Sequence, residues 1–342
     1  MKERNILAIV IIALLLITAG YLAATNLNIM PTEAATRAVL VDQLAGFLVG
    51  VATVVFLLVE GALIYAVIKF RRRKGDESDA VPNYGNTTLE IIWTAIPAII
   101  VVVISVYSFR VLTAIEEPSE DEMVVEVIGR QFVWLFQYPE YGISSQELHL
   151  IIDQPVRFEI TSEDVIHSFW IPEFRAKRDA TPGQISDLRV TPTKVGVYPI
   201  RCAELCGPGH AAMNTVAIVE SEEEFQAWLE QMIAPSETVD DEVIEVVQLV
   251  GRDIFTLQGC GACHILSDAG MTGVVGPSLD GIGARAGGMI SGISARQYIL
   301  KSITAPDSFI VEGYPTGVMP TDVGERLTEE ELDTLVDYLL EQ

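Results

Sequence analysis

Two long apolar runs with a basic cluster between them limit this chain more than any other feature. "AGFLVGVATVVFLLVEGALIYAVIKF" (Ala45–Phe70) and "LEIIWTAIPAIIVVVISVYSF" (Leu89–Phe109) are each long enough to cross a bilayer as a helix. "RRRKG" (Arg71–Gly75) lies between them. Basic loops stay on the cytoplasmic side, so residues 40–115 are expected to form a transmembrane α-helical hairpin with both outer ends outside. Everything after Phe109 is then extracytoplasmic. A third run, Ile6–Ala24, follows Lys2 and Arg4. Residues 1–24 read either as a signal peptide or as a first membrane helix, and the topology closes in both cases.

The chain has 342 residues, a formal net charge of −25 and a positive mean hydropathy of +0.36. These agree if apolar residues gather in the membrane and acidic ones in the domains outside it. So acidic a balance excludes a nucleic-acid-binding surface; a basic partner, solubility or adaptation to salt all fit it. Two carboxylates fall in or at the edge of the hairpin. Glu60, near mid-span, is expected as a neutral acid bonded to a partner helix. Glu90 stands near the inner end of its helix, where water is within reach.

From Met123 the pattern becomes alternating and rich in Val, Ile and aromatic residues: "MVVEVIGRQFVWLFQY", "ELHLIID", "PVRFEITS", "GVYPIRCAEL", "NTVAIVES". Turn residues separate the runs, which predicts an all-β sandwich over residues 122–220. An acidic helix ("SEEEFQAWLEQMI") and a linker ("APSETVDDE") fill residues 221–242. Helical spacing in "EVIEVVQLVGRDIFTLQ" opens a small all-α domain, residues 243–342. Thr328 with Glu331 three residues on caps its last helix.

Inside that last domain Cys260-Gly-Ala-Cys263-His264 has the C-x-x-C-H spacing of c-type haem attachment, each thiol bonding a vinyl group and the histidine ligating iron. A redox dithiol would need a βαβ setting, a zinc site would need further Cys or His nearby, and a disulfide would leave His264 without a role. Three methionines are available as second axial ligand. Met271 is too near His264 in sequence to reach the opposite haem face easily. Met319, in the Pro- and Gly-stiffened "YPTGVMP", is favoured, with Met289 next.

The stretch "RCAELCGPGHAAM" (Arg201–Met213) sets Cys202, Cys206, His210 and Met213 close together, and "SEDVIHSFW" upstream adds His167. Soft thiolates with imidazole and a weak thioether suit copper. Two thiolates can bridge two copper ions, each also taking a histidine, so that one electron is shared and little rearranges on reduction. Zinc, satisfied by two Cys and two His, and a plain disulfide are the alternatives. His149, between Leu148 and Leu150 on a predicted strand, reads as a surface or strand-pairing residue.

Nearly the whole chain resembles subunit II of a bacterial haem-copper cytochrome c oxidase, most closely the caa3-type form with a fused C-terminal cytochrome c. "CAELCGPGHAAM" with upstream "EDVIHSFWIP" resembles the family's binuclear CuA motif. The resemblance implies a multidomain membrane protein: helical hairpin, cupredoxin sandwich and class I cytochrome c domain. It implies that His167, Cys202, Cys206, His210 and Met213 ligate copper by side chain and Glu204 by its backbone carbonyl. The Glu204 carboxylate would reach a magnesium or manganese ion shared with subunit I. Glu90, in "TLEIIWTAIPA", matches a carboxylate at the inner mouth of a proton channel. The segment "GRQFVWLFQY" departs from the family's aromatic run: Phe132 replaces the tryptophan that receives electrons from soluble cytochrome c, while Trp134 keeps the later position. A tethered haem domain as immediate donor accounts for that change. "GPSLDGIG" resembles the loop in which a proline, here Pro277, packs beside the haem histidine.

The function implied is that of the electron-transfer subunit of a terminal respiratory oxidase in a bacterial plasma membrane. An external donor, a soluble cytochrome c or small copper protein, reduces haem c. The electron passes to CuA and then to haem in subunit I, where oxygen becomes water; subunit III is a further expected partner. Rival readings are the small subunit of a CuA-containing nitric oxide reductase, a copper-storage or copper-delivery protein, and a disulfide-bonded sheath protein.

Overall fold

The computed structural model of the chain describes residues 2–26, 29–72, 74–75, 82, 84–233 and 250–342. It divides into two compact units, Met1–Glu117 and Pro118–Gln342.

The first unit holds α1 (Lys2–Asn26), α2 (Thr36–Phe70) and α3 (Thr87–Glu116). Both α2 and α3 are long and apolar enough to cross a membrane, and α1 carries a shorter apolar stretch, Val10–Asn26. Large apolar side chains such as Phe56, Leu63, Ile91 and Val102 stand exposed on α2 and α3, as on helices solvated by lipid. Residues 1–24, for which a cleaved signal and a helix both fit the sequence, form a helix packed along α2. The two meet at Gly20 and Gly50: a Cβ on Gly20 would lie 2.7 Å from Val54 Cγ2 and 2.9 Å from the Gly50 carbonyl oxygen, so only glycine lets the backbones approach this closely. At the start of α3, Asn86 accepts from the Leu89 amide (3.2 Å) and Glu90 Oε1 accepts from the Asn86 amide (3.3 Å). Glu90 therefore helps to cap α3. Glu60 is half-buried on α2.

The second unit begins with ten strands: β1 (Met123–Arg130), β2 (Val133–Tyr138), β3 (Ile143–Ser145), β4 (Leu148–Ile151), β5 (Val156–Ser162), β6 (His167–Ile171), β7 (Ala176–Ala180), β8 (Ser186–Val190), β9 (Gly196–Cys202) and β10 (Asn214–Glu220). They form two sheets, in the orders β3-β2-β1-β5-β8 and β4-β10-β9-β6-β7. Most neighbours are antiparallel, but β1 runs parallel to β5 and β10 parallel to β4. Alternation along β5 is strict, with Val156, Phe158, Ile160 and Ser162 inward. The two inner faces meet over Trp134, Phe136, Phe158 and Phe169; the Phe169 ring lies edge-on to the other three at centroid distances of 5.5–6.1 Å. Each such phenylalanine contributes about 2–3 kcal/mol by leaving water, enough to fix the strands whose ends carry the site.

Helix α4 (Glu222–Ile233) folds back on the sandwich through Phe225 and Leu229. His149 is buried there rather than at the surface. Its ring stacks on Trp228 (4.0 Å between centroids, 8° between planes) and its Nδ1 meets Glu220 Oε1 at 2.8 Å. The partner that covers it arrives from a helix about eighty residues downstream, which strand periodicity does not register.

Helix α5 (Gly251–Leu257) covers the second half of the helical pattern in "EVIEVVQLVGRDIFTLQ"; residues 243–249 and the linker 234–242 lie outside the described residues. Then come α6 (Ile282–Ala286), α7 (Ala295–Thr304), α8 (Val323–Arg326) and α9 (Glu329–Leu340). Their core gathers Ile254 and Phe255 of α5, Tyr298 and Ile299 of α7, and Leu335, Val336 and Leu339 of α9. Thr328 and Glu331 form a reciprocal capping box on α9; Ser294 and Gln297 do the same on α7.

Candidate metal centre and haem cavity

Antiparallel pairing of β6 with β9 sets Phe169 opposite Cys202, which brings His167 and Cys202 to the same end of the sheet. The chain then loops out and returns through a short turn, His210–Ala212, into β10. The Cys202 amide donates to the Met213 carbonyl (3.2 Å) and closes that loop. Six donors converge. Cys202 Sγ lies 3.8 Å from Cys206 Sγ, 3.9 Å from His167 Nδ1 and 3.2 Å from the Glu204 carbonyl oxygen. Cys206 Sγ lies 3.6 Å from His210 Nδ1 and 3.8 Å from Met213 Sδ. His167, Cys202, Cys206 and Met213 are buried, while the Glu204 carboxylate is exposed.

Both cysteines are free, with sulfurs about twice a disulfide's length apart. Their electrostatics are those of a shared proton. The Cys206 thiol donates toward Cys202 and holds Cys202 well below the ordinary thiol range, while the same neighbour and burial push Cys206 up. Burial opposes charge on His167, but hydrogen bonds to and charge on Asp164 and Cys202 together outweigh it and raise the imidazole. Burial likewise opposes the Asp164 carboxylate. His167 and the Gln131 and Val165 amides nevertheless lower it. Asp164 Oδ1 meets His167 Nε2 at 2.7 Å, which leaves Nδ1 facing the sulfurs. Two soft thiolates, two imidazoles, a thioether and a carbonyl around one buried point suit copper with a fixed geometry. Zinc would leave Met213 without a role.

Trp134 is fully buried beside the cluster, its ring edge-on to His167 at 6.0 Å. Phe132 is buried too, packed against the 207–209 stretch: a Cβ on Gly207 would lie 3.1 Å from its ring.

The second site is a cavity lined by Cys260, Cys263, His264, Pro277, Met289 and Met319, among others. The cysteines leave α5 on a short turn, Cys260–Ala262, entered through Gly259 at a left-handed φ of +71°. His264 Nδ1 donates to the Pro277 carbonyl (2.7 Å), which aims Nε2 at the cavity. Burial lowers the His264 pKa and keeps the ring neutral, the form that ligates metal. Burial also pushes the Cys260 thiol up to about 12. A Cβ on Gly276 would lie 2.5 Å from the His264 ring, so the loop can pass there only as glycine. These features fit a covalently held haem. Met271 packs against Gly261 and is not on the wall; Met289 and Met319 both are. Gln131 and Phe132, from the sandwich, complete the lining.

Sequence reasoning passed over Asp164 and Gln131. Asp164 stood in the quoted "SEDVIHSFW" three residues before His167, and that spacing was its only signal.

Comparison with known proteins agrees with this geometry. Three family profiles match: cytochrome c oxidase subunit II, transmembrane domain, over residues 22–111; cytochrome c oxidase subunit II, periplasmic domain, over 144–221; and cytochrome c over 250–342. Cytochrome c oxidase subunit 2 of Thermostichus vulcanus is 37% identical over 257 residues, covering 60% of this chain and 78% of the relative. That of Alkalihalophilus pseudofirmus is 31% identical, covering 84% and 83%. The crystal structure of the periplasmic domain of subunit II of cytochrome oxidase of Bradyrhizobium japonicum is 27% identical, covers 33% of this chain and 95% of that one, and gives a TM-score of 0.32. A membrane-anchored chain with a cupredoxin sandwich, a thiolate–imidazole cluster and a C-x-x-C-H cavity defines an electron-transfer subunit. This chain belongs to the cytochrome c oxidase subunit II family, in the form with a fused C-terminal cytochrome c domain. It is a membrane protein with a periplasmic domain, part of an oxidoreductase complex with other oxidase subunits, and its domains imply copper and haem c. The relatives favour oxygen over nitric oxide as the complex's acceptor.

Proposed function

We propose that electrons pass from an external donor to haem c on Cys260, Cys263 and His264, then to two coppers on Cys202 and Cys206, then to haem in subunit I, where oxygen is reduced. The observation that carries this order is the cavity wall: Phe132 borders the C-x-x-C-H cavity and also packs against the loop bearing Cys206 and His210. When bound, the haem and the copper pair supply one-electron chemistry at two fixed points.

The chain's own residues do the rest. Cys202 and Cys206 stand close enough to share both metals. Asp164 fixes the His167 ring, and the Pro277 carbonyl fixes that of His264. Trp134 and Phe132 exclude water between the two sites and are the proposed path inward. Met319 on its rigid loop is the proposed second axial ligand.

The exposed Glu204 carboxylate faces outward beside its ligating carbonyl, which supports a magnesium or manganese ion shared with subunit I. Glu90, capping α3 at the loop end of the hairpin, suits a proton-channel mouth on the cytoplasmic side. The basic loop Arg71–Gly75, expected on the cytoplasmic side, supports a position of the sandwich and haem domain on the extracytoplasmic face of a bacterial plasma membrane. Subunit III and a soluble cytochrome c or small copper protein complete the proposed partners.

Spectroscopy of the purified oxidase complex tests the reading. Haem should stay covalently on this chain after denaturation. The EPR spectrum should carry the hyperfine pattern of one electron shared over two coppers. A signal from single copper ions alone, or haem lost on denaturation, would overturn it.

A further inference from the structure

The tight turn between β1 and β2 consists of Gln131 and Phe132, and it touches both sites. The Gln131 side chain donates from Nε2 to the Cys206 carbonyl (2.5 Å). Its backbone amide donates to Asp164 Oδ2 (2.7 Å), and the other oxygen of Asp164 holds His167 Nε2. One residue is therefore hydrogen-bonded to a cysteine on one side of the cluster and, through Asp164, to a histidine on the other. The same residue lines the cavity that contains Cys260, Cys263 and His264. The haem domain is tied down nearby at two further points: Gln146 Nε2 donates to the Thr256 carbonyl, and a Cβ on Gly259 would lie 3.1 Å from Val133. On the haem side Gln258 shares the wall, its buried Oε1 without a hydrogen-bond partner among the described residues.

We infer that Gln131 is a positioning residue for the electron's step between the two sites: its paired hydrogen bonds lock the Cys206 loop and the His167 ring to the wall of the haem cavity. The inference rests on the proposed haem-to-copper order. The step itself moves one electron; the cavity's occupant is oxidised by one, the copper ligand cluster gains one, and no bond or proton changes place. The contribution of Gln131 is distance and rigidity, because the rate of an electron's step falls steeply as donor and acceptor separate or lose their intervening contacts. Gln131 acts through its hydrogen bonds, whereas Phe132 beside it acts by packing against the 207–209 stretch.

Two substitutions test this in the intact oxidase complex. Gln131→Met keeps the length and removes the side-chain N–H donor; Gln131→Lys is one bond longer and charged but puts a donor back. Three properties are measured: light-triggered electron transfer from haem c to copper, hydrogen exchange of amides in residues 203–209, and the EPR pattern. Gln131→Met should slow the internal transfer severalfold and speed loop exchange, with the two-copper EPR pattern retained. Gln131→Lys should restore both toward the starting values. Transfer at the unsubstituted rate in Gln131→Met overturns the inference. So does slowing in Gln131→Met with loop exchange at residues 203–209 unchanged, because loss of the hydrogen bond would then not have loosened the loop. Failure of the underlying functional reading shows separately, as a missing two-copper or haem signature in the unsubstituted complex.

Discussion

Asp164 illustrates how a residue outside the ligand set governs the set. Its two oxygens accept from His167 Nε2 and from the Gln131 and Val165 amides, so the imidazole can present only Nδ1 to the thiols. Removing such an outer-shell carboxylate loosens metal binding by about ten- to a hundredfold. Asp164→Asn should therefore release copper to a chelator at correspondingly lower concentrations, with the C-x-x-C-H haem spectrum unchanged. Retention equal to the unsubstituted chain would remove Asp164 from this role. That His167, Cys202, Cys206, His210 and Met213 gather in one place was legible because soft donors at short, fixed spacing have little other use. Asp164 and Gln131 were not, since their meaning lies in partners brought from far along the chain: Gln131 is 33 residues from Asp164 and 75 from Cys206. His149 does pair on a strand, opposite Ile218, but it is not at the surface, for the same reason: its cover arrives from α4.

Among elements, the strands and membrane helices could be read from period and length, whereas their pairing could not. Alternation marks Val156–Ser162 as a half-buried strand, but nothing local says that β1 lies parallel to β5 rather than beside β2 alone. Helix ends fared better, because a cap is a local contract between neighbours. The Thr328 hydroxyl accepts from the Glu331 amide (3.2 Å) and donates to the Glu331 carboxylate (2.9 Å), which also accepts from the Thr328 amide (2.8 Å). Thr328→Ala should destabilise the C-terminal domain by about 1 kcal/mol, read as a shift in denaturation midpoint at unchanged haem absorbance. The matching box at Ser294 and Gln297 lay unread in a Gly-rich stretch where no helix pattern drew attention to it.

For the whole molecule, the chain runs from anchor through copper sandwich to haem domain, the reverse of the proposed path of the electron. The shared wall of the haem cavity gives that order a kinetic meaning. Because Gln131 and Phe132 form part of that wall, the side of the cavity nearest the copper ligands is already taken by the chain's own sandwich. A donor arriving by diffusion has to approach elsewhere. Collection and delivery are thus separate doors, and only the first depends on an encounter. Reduction of the haem from outside should be second-order and weaken or strengthen with ionic strength, given the strongly acidic chain. Passage onward should be first-order, indifferent to both salt and dilution, because tethering substitutes a fixed local concentration for a diffusing one. Stopped-flow reduction and light-triggered internal transfer, compared from low to high salt, separate the two. A salt-sensitive second step would mean that the haem domain leaves the sandwich in each cycle. On the proposed path the subunit keeps its immediate donor docked, and only the recharging of that donor waits on a collision.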